Sequence, residues 1–132
     1  MTWYQQQVIT LKRDVYPQEY LVEQVMRAKL FMDRHFASGL SLGAIAGEAH
    51  FSKYHFIRLF KLVYGLTPHQ YLVSVRMEKA KELLQSGAGI KETCFLVGFC
   101  STTSFAGLFK KTTGASPSDF LHRKRNNKIA QF

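Results

Sequence analysis

Residues 51–68 read Phe51-Ser-Lys-Tyr-His-Phe-Ile-Arg-Leu-Phe-Lys-Leu-Val-Tyr-Gly-Leu-Thr-Pro68, and their punctuation decides the fold. Ser52 is a natural N-cap, because its hydroxyl can accept an orphan backbone N–H of the first helical turn. Phe56, Leu59, Phe60 and Val63 recur at helical spacing as one apolar stripe. Lys53, Tyr54, Ile57, Arg58 and Lys61 fall on the other side. Gly65 stands where a helix ends on a left-handed residue. Thr67-Pro68 pairs a further N-cap with a proline at the first helical position.

The same signposts return 49 positions later, in Ser-Thr-Thr-Ser-Phe-Ala-Gly-Leu-Phe-Lys-Lys-Thr-Thr-Gly-Ala-Ser-Pro over residues 101–117. Ser52 matches Ser101, Phe56 matches Phe105, and Leu59-Phe60-Lys61 matches Leu108-Phe109-Lys110. Gly65 matches Gly114 and Thr67-Pro68 matches Ser116-Pro117. Two copies fall short of the about three that a solenoid needs. They indicate two related subdomains with a shared task.

Before the first copy, residues 17–36 read as a helix with Leu21, Val25, Ala28, Met32 and Phe36 inward. Ser41 caps a short helix over residues 42–49, with Leu42, Ile45 and Ala46 inward and small residues (Gly43, Ala44, Gly47, Ala49) that admit a close neighbour. His50 occupies the turn before Phe51, and histidine is among the residues enriched at positive φ. A short helix, a tight turn and a second helix with a polar outer face form a helix-turn-helix pattern. Residues 68–85 read as a long helix, with Tyr71, Leu72, Val75, Ala80, Leu83 and Leu84 buried, spanning ~27 Å. Residues 90–97 repeat the short helix, with Ile90, Cys94 and Val97 inward, and Gly98-Phe99 is the turn. A last helix starts at Pro117 and covers residues up to 123.

The spacing therefore predicts an all-α fold of about seven helices. The expected parts are an arm or tail over residues 1–15, where Val8, Ile9 and Leu11 could form a short strand, and a first helix-turn-helix subdomain over 16–66. A linker helix over 67–86, a second subdomain over 87–123 and a basic tail over 124–132 follow.

The chain has 132 residues with 18 Lys and Arg against 9 Asp and Glu, a net charge of +9. That excess favours a polyanionic partner, nucleic acid or an acidic membrane surface. No apolar run reaches the ~18 residues that span a bilayer, and the start lacks the features of a secretion signal. Two cysteines, Cys94 and Cys100, make no disulfide framework, and the five histidines are scattered without zinc-like spacing. Burial of Cys94 in place of a small residue is the preferred reading of that thiol. The expected location is cytoplasmic, and no cofactor, metal or enzymatic motif is read.

At this point the residues resemble a known family. The Ala-Gly-Glu-Ala run with Phe51-Ser, Phe56, Arg58-Leu-Phe-Lys61 is similar to the first helix-turn-helix of AraC/XylS-type transcription regulators. Val97-Gly98-Phe99, Phe105, Leu108-Phe-Lys-Lys111 and Gly114-Ala-Ser-Pro-Ser-Asp-Phe120 resemble their second-half signature. The resemblance covers roughly residues 17–123. It implies two helix-turn-helix subdomains on a linker helix, each placing a recognition helix in the major groove. In size the chain is nearer the small members, which bind as monomers to asymmetric sites. Three positions depart from the pattern: Gly107 stands where a long polar residue is usual, Thr93 replaces an aliphatic, and Leu121 sits where an Arg often follows the aromatic.

On this reading the function is that of a sequence-specific DNA-binding transcription regulator, with a protein-interaction module of the same fold as the alternative and a basic membrane-surface protein ranked below it. Double-stranded DNA is the partner, RNA polymerase a candidate second one, and no membrane is involved. Arg58 is the foremost candidate for base reading, because an outward Arg can bond guanine O6 and N7 together. Lys53, Tyr54 and Ile57 share its face; Ile57 reads equally as a thymine-methyl contact or a lone surface apolar residue. The second helix offers Thr102, Thr103, Ala106 and Gly107. Ser41, Ser52, Lys61, Ser101, Lys110, Lys111, Arg123, Lys124 and Arg125 are candidate phosphate contacts, which position a protein without reading sequence. The second recognition helix is expected ~34 Å from the first, about one DNA turn.

Overall fold

The computed structural model describes Trp3 and residues 18–130. The expected arm or tail over residues 1–15, Trp3 apart, lies outside the described residues. Among the described residues there are seven helices and no strand: α1 Gln18–His35, α2 Leu42–Glu48, α3 Lys53–Tyr64, α4 Pro68–Gln85, α5 Ile90–Leu96, α6 Thr102–Thr113 and α7 Pro117–Ala130.

Local chemistry sets most of these boundaries. Ser41, Ser52 and Ser101 each sit in extended backbone and accept the N–H three residues on, from Ala44, His55 and Ser104. Thr67 and Gln70 cap reciprocally: Gln70 N donates to Thr67 Oγ1 at 3.2 Å and Thr67 N donates to Gln70 Oε1 at 3.0 Å. Such caps are worth about 0.5–2 kcal/mol each. Gly65 and Gly114 close α3 and α6 at φ of 81° and 86°, a region that only glycine enters freely.

The repeat is deeper than a pair of helix-turn-helix motifs. Shifted by 49, Lys53–Tyr64 lands on Thr102–Thr113; shifted by 48, Leu42–Glu48 lands on Ile90–Leu96. The one-residue slip falls after Phe99, so Cys100 is the additional residue of the second turn. The long helices α1 and α4 have 18 residues each. Shifted by 52, buried Val25, Ala28 and Met32 land on buried Met77, Ala80 and Leu84. Each copy is therefore three helices, and α4 serves the second as α1 serves the first.

Two compact units result, residues 1–73 and 74–132, with the boundary inside α4. The first has a core of Leu21, Val25, Ala28, Met32, Ile45, Ala46, Ala49, Phe56, Leu59, Phe60 and Leu72. In the second, Met77, Ala80, Leu84, Cys94, Val97, Phe105 and Phe109 are buried, and Phe120 of α7 sets its ring edge-on to Phe109 at 5.5 Å.

Four expectations change. Val63 is 38% exposed, because it lies one turn beyond Phe60, where the stripe outruns the core. Ile57 is half-buried and not fully outward. Met77 takes the core position of α4, while Tyr71, Val75 and Leu83 are only half-buried. The last helix continues to Ala130, so the expected basic tail is largely helical backbone; no Gly or Pro interrupts residues 118–130, and Lys and Arg are good helix formers.

Candidate nucleic-acid interface

Each recognition helix is aimed by the turn before it. In the first unit, His50 adopts φ 59° and Phe51 N donates to Ala46 O at 3.1 Å. In the second, Gly98 adopts φ 98° and Phe99 N donates to Cys94 O at 3.0 Å. The left-handed residue reverses the chain in one step, so the following serine can cap the next helix immediately. Histidine does this work in the first copy despite its Cβ.

The outward face of α3 carries Tyr54, 73% exposed, and Lys53 and Lys61, both exposed. Arg58 and Ile57 are half-buried on the same side, and Arg58 is engaged within the protein. Lys53 bends back over α2: a Cβ built on Gly43 would stand 3.1 Å from Lys53 Cε. Of the two glycines in α2, Gly43 is thus the one with a close neighbour, a lysine stem, while nothing stands within 4 Å of a Cβ at Gly47. Ser52 Oγ also lies 3.2 Å from His55 Nδ1, which ties the first turn of α3 together.

The matching face of α6 is shorter. Thr102, Thr103 and Gly107 are exposed and Ala106 is half-buried. A Cβ built on Gly107 would meet nothing within 4 Å. Lys110 and Lys111 follow one turn later, both exposed. Ser41, Ser52 and Ser101 are exposed caps, and Arg123 is exposed on α7. The side chains of Lys124 and Arg125 lie outside the described residues.

The lysines of these faces stand outside the ion pairs of the described residues. Among the described residues the ion pairs are Lys29–Asp33, Lys79–Glu82 and Lys81–Glu78, none of which involves Lys53, Lys61, Lys110, Lys111 or Arg123. These groups present positive charge at α3, at α6 and midway along α7, which is what a polyanion requires.

Arg76 did not stand out in the sequence. Its guanidinium lies 5.4 Å from the centroid of the Phe99 ring, which in turn lies 5.6 Å from Phe105. Burial pushes the Arg76 pKa below its ordinary value. Arg76 thereby holds the aromatic that precedes α6. Its partner is 23 residues away, so no local pattern marks it.

Among the described residues no group of three or more His, Cys, Asp or Glu side chains is placed to hold a metal ion. No helix among them is long and apolar enough to cross a membrane.

A family described as a helix-turn-helix domain matches residues 45–123. The chain belongs to this AraC-type helix-turn-helix family. It is 36% identical over 91 residues to the bifunctional transcriptional activator and DNA repair enzyme AdaA of Bacillus subtilis, covering 68% of this chain and 43% of that protein. It is 32% identical over 117 residues to the transcriptional activator RhaS of Escherichia coli, covering 86% of this chain and 42% of that one. The chain thus spans about two fifths of the length of these curated relatives. Among solved structures it resembles the C-terminal domain of AraT, a response regulator from Geobacillus stearothermophilus, with a TM-score of 0.74 and 31% identity over 78% of this chain and 87% of that one. The DNA-binding domain of AdpA, solved with a target DNA, matches with a TM-score of 0.75 at 24% identity, over 80% of this chain and 96% of that one, and shares the fold.

Proposed function

We propose that this chain is a sequence-specific DNA-binding transcription regulator that sets α3 and α6 in successive major grooves. The observation that carries the reading is the duplicated recognition helix. Each copy is capped by serine, aimed by a left-handed turn residue, and bare of acidic side chains on its outward face. The names of the relatives AdaA and RhaS as transcriptional activators support it, as does the target DNA in the AdpA structure.

On this reading Arg58, with Lys53, Tyr54 and Ile57, faces base edges from α3, and Thr102, Thr103, Ala106 and Gly107 do so from α6. Ser41, Ser52, Lys61, Ser101, Lys110, Lys111, Arg123, Lys124 and Arg125 hold the sugar-phosphate backbone. The protein acts by docking as a monomer, with RNA polymerase as the partner it recruits or excludes. It works in the cytoplasm and carries out no reaction; the repair activity in the name of AdaA belongs to a protein of which this chain spans 43%.

The test is selection of bound duplexes from a random pool at physiological salt, with Arg58→Ala beside the wild type. Two enriched blocks one DNA turn apart, the first degraded in the variant, are expected. No enriched sequence for the wild type would replace this reading with that of a protein-interaction module.

A further inference from the structure

We propose that Gly107 is the point at which the backbone of α6 comes closest to the DNA, a bare position that lets the helix lie against the base pairs where α3 reaches them through a side chain. The inference rests on the DNA-binding function proposed above and goes beyond it by assigning the two helices different modes of contact.

The comparison is internal. α3 and α6 are both 12 residues long, with a serine cap at one end and a left-handed glycine at the other. Phe56 and Phe60 are buried as Phe105 and Phe109 are. The inward phenylalanines match, although Leu59 is buried and its counterpart Leu108 only half-buried, so the outward faces can be compared position by position. Arg58 corresponds to Gly107.

Glycine in the middle of a helix weakens it, more than any residue but proline. The fold offers two ordinary reasons to keep one there, a left-handed backbone or a crowding neighbour. Gly107 has neither: it is not among the positive-φ glycines, and a Cβ there would meet no atom within 4 Å. Contrast Gly43, where the Lys53 stem fills the space. The remaining reason is an object outside the chain that approaches the backbone itself. Lys110 and Lys111, exposed one turn on and outside the ion pairs described, give that object negative charge. A duplex entered by α6 is such an object. A methyl group at residue 107 would then stand between helix and groove.

The decisive comparison uses the full chain as wild type, Gly107→Ala and Thr112→Ala. Thr112 is exposed on α6 and outside the proposed contacts, so its substitution reports helix stability alone. Thermal unfolding is measured beside binding to the selected duplex and to a scrambled one at fixed salt. Gly107→Ala is expected to raise Tm by roughly 2–5 °C while weakening binding to the selected duplex by about tenfold or more. Thr112→Ala is expected to raise Tm and leave binding unchanged. A more stable Gly107→Ala protein that binds the selected duplex as tightly as wild type overturns the inference and leaves the functional reading standing. A wild type that does not distinguish the two duplexes overturns the functional reading and this inference with it.

Discussion

Tyr71 in α4 donates its phenolic hydrogen to the carboxylate of Asp33, 38 residues earlier in α1. Lys29 completes the group: its Nζ lies 3.2 Å from Asp33 Oδ2 and 5.2 Å from the centroid of the Tyr71 ring. The cluster fastens the beginning of α4 to the first helix of its unit. Replacing Tyr71 by Phe keeps the ring packing on Phe60 and removes the donor. We expect a loss of about 1–2 kcal/mol in urea unfolding at neutral pH. The hydrogen bond with Tyr71 foremost holds the Lys29 pKa up, and burial foremost, then Asp33, raises that of Tyr71. Both folded values lie above the unfolded ones. The linked stability is therefore present below about pH 10 and lost as pH rises through the folded values. The gap between wild type and Tyr71→Phe should narrow at alkaline pH; a gap that stays constant from neutral to strongly alkaline pH would contradict the coupling.

Thr93 is fully buried in α5 with its hydroxyl oxygen unpartnered. The matching residue of the first unit is Ile45, also buried. A buried hydroxyl without a hydrogen bond costs about 1–3 kcal/mol, and valine has nearly the shape of threonine. Thr93→Val should stabilise the protein by about 1 kcal/mol. A chemical denaturation curve shifted to lower denaturant would show that the hydroxyl is satisfied after all.

What the sequence revealed is what local chemistry writes. Serine caps, buried phenylalanine pairs and left-handed glycines act within one or two turns, so both recognition helices could be bounded from the residues themselves. Relations across the chain were hidden. A single shift of 49 concealed the slip at Cys100, because the turn compensates for it within two residues. The likeness of α1 to α4 stayed invisible because the burial pattern carries most of it; at a shift of 52 the identical pairs are Gln18 and Gln70, Ala28 and Ala80, and Lys29 and Lys81. Arg76 on Phe99, Lys53 over Gly43 and Tyr71 with Asp33 are tertiary contacts with no periodic signature. On the interface, the faces of Tyr54 and Gly107 follow from helical spacing, whereas the bent posture of Lys53 does not.

The two thiols should behave as different chemical species. Cys94 is wholly buried, its Sγ lies 3.7 Å from Phe99 O, and burial raises its pKa. Cys100 is exposed in the turn. An aromatic disulfide reagent in excess is expected to modify one thiol rapidly in the native protein. The second should react only through opening or unfolding, slower by on the order of 1,000-fold. Cys100→Ser should abolish the fast phase and leave the slow one. A fast phase that survives in that variant would place an accessible thiol at Cys94 and contradict its burial in the second core.

Lys110 and Lys111 separate positioning from reading. If both neutralise phosphates, substituting both by alanine removes two released counterions from the binding equilibrium. The slope of log K against log salt should then become shallower by roughly 1.8, at about 0.9 for each contact on a duplex. The affinity loss should be similar on every sequence, because a phosphate looks alike beneath any base pair. Arg58→Ala should do the reverse, relaxing preference at one base pair by about 1–3 kcal/mol with a salt slope changed by no more than one contact. The pair of variants therefore assigns α3 and α6 independently. A double lysine variant that keeps the wild-type slope but alters the selected sequence would make the lysines readers, and would move the reading face of α6 from Thr103 and Gly107 toward its C-terminal end.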